Sequence, residues 1–332
     1  MLTTTLDKLN LSSNVSISAT ARHGFVAPPG WLMLSIDYSN QEMYIAAVQS
    51  GDKAMLNSFL PNAQLSDYIP YLTDEGDVFY KDGKPVMVTN PDKDMHTLTA
   101  AKCCYPKLFE GQPTHKWVEI AKNKKLVKGS KTPRDTGKST NFGLLYLQTA
   151  KAMSEQQYVP VKVAEEWISN HKLTYPQFWA WSDEIAQLCT VRGWARNTST
   201  GRIRWVAEDN SKAQGASPAR SGVNHMIQGF AADMSKKALV KILKYSEQNP
   251  GLFYMGGLIH DEVLIMARGR LILDNSKYMF EDGIFKPAYK LEGNIIEVAE
   301  TCKALMEEAE HSLFGGQWLG RSEYELSPFW NH

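Results

Sequence analysis

The sequence predicts an α+β fold, and three observations carry that reading. Apolar, strand-like runs stand near the two ends of the chain, Trp31–Leu34 and Gly256–Ile259, and a carboxylate motif follows each. Between them, apolar residues recur at helical spacing in Val163 to Ile168 and Phe178 to Leu188. Two further helical stretches, Arg220 to Ser246 and Ile295 to Leu313, frame the second strand-like run.

The elements follow in order. Residues 1 to about 47 hold the first strands, and the chain from about 48 to 212 is mostly helical. Tyr68 to Val88 departs from that pattern, with turns at Gly76 and Asp82-Gly83 between short aromatic runs, which is a hairpin signature. The long Arg220 to Ser246 helix leads into a hairpin carrying His260-Asp261-Glu262. Ala267 to Gly293 is a long gap before the Ile295 to Leu313 helix. No internal repeat or low-complexity tract interrupts the chain.

The two carboxylate motifs are Ser35-Ile36-Asp37-Tyr38-Ser39 and Leu258-Ile259-His260-Asp261-Glu262. If their strands lie side by side, Asp37 and Asp261 come close and repel unless a cation sits between them. A pair of Mg²⁺ ions about 3.5–4 Å apart, clamping an in-line phosphoryl displacement, is chemistry that uses this arrangement. Taken singly, each motif is better read as a turn cap or a surface loop. A third motif changes that weighting. Arg134, Lys138, Phe142 and Tyr146 fall at steps of four and form one stripe on a helix, cations first and aromatic rings after. Arg and Lys suit a triphosphate, one as a fork and one as a point charge. The rings offer a flat surface to a base. A core stripe would be apolar throughout, and a solvated face would lack the aromatics.

At these residues the chain resembles the family A DNA polymerases, bacterial DNA polymerase I and its phage relatives. Asp37-Tyr38-Ser39-Asn40-Gln41-Glu42 is similar to their first palm motif, D-Y-S-Q-I-E. Arg134 to Tyr146 matches the fingers helix, R-x3-K-x3-F-x3-Y, and His260-Asp261-Glu262 matches the last palm motif. Lesser matches fall in order: Phe25-Val26-Ala27-Pro28, Asp94-Met95-His96, Gly201-Arg202-Ile203-Arg204, the Arg220, Asn224 and Gln228-Gly229-Phe230-Ala231-Ala232-Asp233 helix, and the ending Phe329-Trp330-Asn331-His332.

The resemblance implies an antiparallel palm sheet packed on helices, a mostly helical fingers domain, and no thumb or exonuclease domain. Its boundaries would be 1–47 palm, 48–212 fingers and 213–332 palm, with an insertion near 267–293. It also implies roles. Asp37 and Asp261 would bind two Mg²⁺ ions, or Mn²⁺ in their place, with the Tyr38 backbone carbonyl helping and Glu262 supporting. Arg134 and Lys138 would hold the triphosphate, aided by His96 and Asn40, and Lys138 would compensate charge or protonate the leaving group. Phe142 and Tyr146 would pack on the incoming sugar and base. Glu42, working with Tyr146, would exclude a ribose 2′-hydroxyl. Arg220, Asn224, Gln228 and His260 would line the primer terminus and the minor groove. The expected partners are primer–template DNA and deoxynucleoside triphosphates, and the expected place is the cytoplasm, that of the host if a phage encodes the chain.

Composition fits, with one oddity. The 332 residues allow a sizeable core and more than one domain, and no apolar run approaches a membrane span of ~20 residues. The start Met1-Leu2-Thr3-Thr4-Thr5 lacks signal-peptide character. Cys103, Cys104, Cys189 and Cys302 show no metal-ligand spacing and are expected as reduced, packed thiols. The 36 basic and 36 acidic residues cancel, which is unusual for a protein that holds a duplex. Positive charge gathers locally at Lys122, Lys124, Lys125, Lys128, Lys131, Arg134 and Lys138. The second half of that run overlaps the nucleotide motif; the first half reads equally as a surface loop.

The neutral balance accords with missing parts. Asp7 to Leu11 stands for the tail of the family's P-N-L-Q-N segment, and Ser12-Ser13 replaces T-G-R-x-S-S poorly, without its Arg. The expectation is therefore the catalytic half of a split polymerase, with the thumb, with or without an exonuclease domain, carried by a second polypeptide or by sequence left out of this chain. Departures are Leu147 for the family's Gly, which bears on the helix end and template path, Asn40 for Gln, Gln41 for an apolar residue and Tyr44 for Arg. Two other classes compete. A non-catalytic DNA-binding subunit conflicts with intact Asp37, Asp261, Lys138 and Arg134, and an RNA-making transferase conflicts with Glu42.

Overall fold

The structure is a computed structural model that describes residues 22, 24–59, 66–125, 131–206, 217–281, 284–316 and 320–330, with backbone alone for 273–290. The expectations for Asp7 to Leu11, Ser12-Ser13, Lys128, Asn331 and His332 lie outside these residues.

In chain order the elements are β1 (Trp31–Tyr38), α1 (Gln41–Ser50), α2 (Lys53–Phe59), β2 (Tyr68–Pro70), β3 (Tyr80–Lys81), β4 (Lys84–Pro85) and β5 (Met87–Thr89). Next come α3 (Met95–Thr99), a π-helical turn (Ala100–Cys104), α4 (Pro106–Phe109), α5 (Trp117–Asn123), α6 (Pro133–Leu145), α7 (Ala150–Gln157), α8 (Val161–Thr174) and α9 (Pro176–Arg192). The chain continues through β6 (Trp194–Arg196), β7 (Ile203–Trp205), α10 (Pro218–Asn224), a second π turn (His225–Gly229) and α11 (Phe230–Gln248). It ends with β8 (Phe253–Ile259), β9 (Glu262–Arg268), β10 (Arg270–Glu281), β11 (Ile284–Glu292), α12 (Ile295–Leu313) and β12 (Ser322–Ser327).

The chain forms two compact units, one from Met1–Gln41 with Ala231–His332 and one from Glu42–Phe230. The first is built on a four-stranded antiparallel sheet in the order β12-β1-β9-β8. β1 is a central strand, and Leu32 through Ile36 are all buried, so this run is apolar on both faces except at Ser35 instead of alternating. α12 packs on β1, β9 and β12. Its stripe Ile295, Val298, Cys302 and Met306 is fully buried. A Lys241 Nζ–Glu308 Oε1 ion pair of 2.7 Å ties α11 to α12. The segment after Arg22 runs against the last described residues: Ala27 N–H donates to Pro328 O and Trp330 N–H to Phe25 O, both at 2.9 Å. The expected long gap before α12 holds the β10–β11 ribbon, whose register shifts between Asp274 and Tyr278.

The second unit is mostly helical, and its only strands among the described residues form two-stranded ribbons. The hairpin signature of Tyr68 to Val88 is realised as β2–β5 enclosing β3–β4, the inner turn formed by Asp82 and Gly83, both at positive φ. Trp167, Tyr175, Phe178, Met153 and Leu144 fill its core. The packing is tight enough to demand small residues. A Cβ on Gly137 would stand 2.2 Å from His96 O, and one on Gly222 would stand 2.3 Å from Cys189 Sγ. The expected Arg220 to Ser246 helix is present from Pro218 to Gln248, but a π turn at 225–229 interrupts it and the unit boundary falls after Phe230. All four cysteines are free and buried. Burial raises the thiols of Cys103 to about 11 and Cys302 to about 12, so they are packing groups. Among the described residues no helix is long and apolar enough to cross a membrane.

Candidate active site

In the first unit the sheet brings the two carboxylate motifs to one end. β1 pairs with β9 up to Ile36 opposite Val263, so Asp37 follows directly in register beside the turn that joins β8 to β9. That turn consists of His260 and Asp261. His260 is exposed and holds φ +58°, the left-handed region a histidine seldom adopts. Asp37 and Asp261 are both half-buried. Glu262 is 3% exposed, and its Oε1 accepts hydrogen bonds from the Ser35 hydroxyl and from Trp330 Nε1–H at 2.8 Å. Its carboxylate is thus braced by β1 and by the chain's last described residue. The Tyr38 hydroxyl donates to Met306 O at 2.9 Å, which pins the end of β1 to α12. On the other neighbouring strand Glu323 stands opposite Asp37.

In the second unit α6 carries the stripe. Thr132 and Asp135 close a capping box at its start, and Pro133 occupies the first turn. Arg134 is half-buried, and its Nε donates to Asp94 Oδ2 at 2.7 Å. Burial alone would raise Asp94, but the Arg134 guanidinium and Thr97 hold it below the usual carboxylate range. Asp94 also caps α3, accepting from the His96 and Thr97 amides. Lys138 is exposed on the same face. The His96 ring lies 6.1 Å from Phe142 between centroids. Burial, reinforced by the Arg134 charge and opposed by Asp94, lowers His96 to about 4, so it is neutral near pH 7.

The far end of the stripe meets α1 and the second π turn. Gln228 Nε2 donates to Glu42 Oε1 at 3.3 Å. Burial and the Glu42 carboxylate raise the Tyr146 phenol well above its ordinary value. Glu42, Tyr146 and Gln228 therefore form one cluster. Arg220 Nη2 donates to Leu147 O at 3.3 Å. Leu147 itself holds φ +55°, with Leu147 N–H on Leu144 O and Gln148 N–H on Gly143 O, a Schellman ending. The helix thus stops in the conformation that favours glycine although a leucine stands there. A cleft lined by Lys138, Phe142, Tyr146, Gln148 and Arg220 runs along this face, about 640 Å³ in volume. Asn224 is half-buried at the end of α10, and Asn40 is exposed at φ +55° after β1. The departure at Gln41 is absorbed by a bond to Ser235 Oγ at 3.3 Å, and Tyr44 packs edge-on against Phe59.

Among the described residues no group of three or more His, Cys, Asp or Glu side chains is arranged to cage a metal. Asp37 and Asp261 nevertheless offer hard oxygen donors at one sheet end. Mg²⁺ takes one or two carboxylates and completes its shell with water and phosphate oxygens, so the donor set fits that ion. Sequence reasoning missed Gly137, Asn141, His171 and the Trp330 contact to Glu262. A glycine in mid-helix was the one available signal, for Gly137.

Comparisons with known proteins bear on the family and the fold of the chain. The DNA polymerase family A model matches residues 8–278. DNA polymerase I of Thermus thermophilus is 26% identical over 264 residues, covering 78% of this chain and 25% of that protein. DNA polymerase I of Pseudomonas aeruginosa is 27% identical, over 76% of this chain and 22% of that protein. The DNA polymerase of Mycobacterium phage D29 is 25% identical, over 74% and 30%. The chain thus spans about a quarter of the length of these relatives. A solved structure, the POL domain of Pol1 from M. smegmatis in complex with DNA primer-template and dNTP, superposes with a TM-score of 0.66 at 17% identity, covering 97% of this chain and 44% of that one. With a family match over most of its length and that family's domain fold, the chain belongs to DNA polymerase family A.

Proposed function

We propose that the chain is the palm and fingers part of a DNA-directed DNA polymerase, which adds deoxynucleotides to a primer 3′-hydroxyl under template direction. The palm would comprise 1–47 and 213–332, with an insertion at 267–293, and the fingers 48–212. One observation carries the reading: α6 presents Arg134, Lys138, Phe142 and Tyr146 on one face, with His96 beside its middle turns and Glu42 at its C-terminal end.

Phosphoryl transfer asks a protein mainly to position groups and neutralise charge. Asp37, Asp261 and the Tyr38 carbonyl would hold two Mg²⁺ ions, with Glu262 bracing the turn beside them. Bound there, the ions would supply charge neutralisation at the attacking hydroxyl and the leaving pyrophosphate. Arg134, fixed through Nε by Asp94, would keep its terminal nitrogens for phosphate oxygens. Lys138 adds a point charge and a proton source at the leaving group, and His96 and Asn40 add polar contacts. Phe142 and Tyr146 offer rings to the sugar and base. Glu42, braced by Gln228, would occupy the volume a 2′-hydroxyl needs. Arg220, Asn224, Gln228 and His260 would test the minor groove, whose acceptors look alike in every correct pair.

Primer–template DNA and deoxynucleoside triphosphates are the partners of this reading. Firm duplex grip would come from a thumb, carried by a second polypeptide or by further sequence, and the intact site favours this over a non-catalytic subunit. Primer extension with Mg²⁺ tests the proposal, run with this chain alone and with a thumb-bearing fragment added. Extension that disappears in Asp261→Ala is the expected result. Extension that survives that change would show the metal assignment to be wrong.

A further inference from the structure

Behind α6, the side chains of His96, Asn141, His171 and Trp179, one from each of four helices, join in one line, with Thr99 and Tyr175 branching from it. Asn141 is 1% exposed. Its Nδ2 donates to His96 Nδ1 at 3.0 Å, and its Oδ1 accepts from His171 Nε2 at 3.2 Å and from Thr99 Oγ1 at 2.8 Å. His171 is 1% exposed, and its Nδ1 accepts from Trp179 Nε1–H at 3.0 Å. Tyr175 OH lies 2.8 Å from Thr99 Oγ1 and completes the set.

Only one protonation pattern satisfies every member. An indole N–H donates and never accepts, so Trp179 obliges His171 Nδ1 to be bare. His171 must then carry its proton on Nε2, which obliges Asn141 to turn its carbonyl oxygen that way. The amide nitrogen of Asn141 is left facing His96, and it obliges His96 Nδ1 to accept. Turning the amide round would set two donors face to face at His171 or at Trp179, inside a core where an unmade hydrogen bond costs about 1–3 kcal/mol. Burial lowers His171 to about 3, so the imidazolium, which would also face the indole N–H, does not arise near pH 7.

We propose that Trp179, acting through His171 and Asn141, sets the tautomer of His96, so that the ring keeps its proton on Nε2 and offers it to the polyphosphate of the incoming nucleotide. This rests on the polymerase reading above. Among the described residues His96 Nε2 makes no hydrogen bond, and the ring lies in the field of Arg134 and Lys138. A neutral ring with Nε2 bare would present a lone pair to phosphate oxygens and repel them. Asn141, His171 and Trp179 are therefore positioning residues acting through His96.

The test uses the full chain with ring-¹⁵N-labelled histidine, His96 being assigned by difference from His96→Gln. Long-range ¹H–¹⁵N correlations should show His96 protonated at Nε2. A proton on Nδ1 in the wild type overturns the proposal without any variant. Asn141→Leu and Trp179→Phe should each admit Nδ1–H at His96, the first more strongly. Each should weaken a non-hydrolysable deoxynucleoside triphosphate with Mg²⁺, by about tenfold or more where the hydrogen bond to the charged group is lost outright. His171→Gln keeps a donor toward Asn141 and should preserve both the tautomer and the affinity. Affinity that falls in Trp179→Phe while the His96 tautomer stays unchanged would reduce these residues to packing. A wild type with the expected tautomer but no triphosphate binding would overturn the polymerase reading instead, leaving the hydrogen-bond line intact.

Discussion

Replacing Gly137 with alanine adds one methyl group where α6 lies close against the backbone of α3. The new Cβ would stand 2.2 Å from His96 O, 3.0 Å from Ala100 N and 3.3 Å from Ala100 Cβ. Real Cβ contacts do not fall below 3.0 Å, so the first must open by most of an ångström, and the obstacle is backbone. Alanine is the better helix former by about 1 kcal/mol. Overpacking into a rigid neighbour costs about 1–3 kcal/mol, and a backbone obstacle belongs at the upper end of that range. The net expectation is a loss of about 1–2 kcal/mol, together with a His96 ring pushed away from Arg134 and Lys138. Gly143→Ala is the matched control on the same helix. Its Cβ would meet Gln148 Oε1 at 1.9 Å, the far end of a side chain that can swing aside. Urea unfolding followed by tryptophan fluorescence, with titration of a deoxynucleoside triphosphate, compares the two variants. Gly137→Ala should unfold earlier and bind more weakly, whereas Gly143→Ala should match or exceed the wild type in stability. A Gly137→Ala protein as stable and as tight-binding as the wild type would refute the close-approach argument.

Three further outcomes are expected. Burial, with the Glu307 carboxylate beside it, raises Glu310 from 4.5 to about 8. The folded state then binds a proton that the unfolded chain has lost, so stability is full below pH 4.5 and declines as pH rises toward 8. The slope is at most about 1.4 kcal/mol per pH unit, and Glu310→Gln should flatten it in denaturation curves taken at pH 5, 6.5 and 8. Glu42→Ala removes the carboxylate that Gln228 braces and should admit ribonucleotides in primer extension; unchanged discrimination would mean that Glu42 is not the gate. Phe142→Tyr should improve use of dideoxynucleotides, since the resemblance associates a phenylalanine there with their exclusion, and an equally discriminating variant would contradict that.

What the sequence made legible was local. The carboxylates stand where strand-like runs end, and the structure does place Asp37 and the His260-Asp261 turn at one end of adjacent strands. The α6 stripe follows from a four-residue step that any helix converts into a face. The bounds of α12 match the Ile295 to Leu313 reading because its apolar period is clean. What escaped depends on partners distant in the chain. Glu262 is braced by Ser35 and Trp330, 227 and 68 residues away, and nothing in the H-D-E triplet announces either. Asn141 sits between Lys138 and Phe142 in the sequence but on the buried side of α6. A four-residue step of outward-facing side chains carries no information about the buried face of the same helix.

The same division explains Leu147. A leucine in place of the family's glycine puts the helix end or the template path in question; the left-handed conformation, where it is adopted, costs a side-chain-bearing residue about 1–2 kcal/mol. The structure shows α6 ending in that conformation regardless, with the Schellman bonds to Gly143 and Leu144 formed and Arg220 donating to the Leu147 carbonyl. Those three hydrogen bonds, each worth about 0.5–1.5 kcal/mol, are enough to offset the strain. The backbone path is therefore set by what grips it from both sides. Whatever Arg220 does for DNA in the proposed reaction, in this fold it already serves the helix end, so its loss would disturb α6 before any duplex is bound.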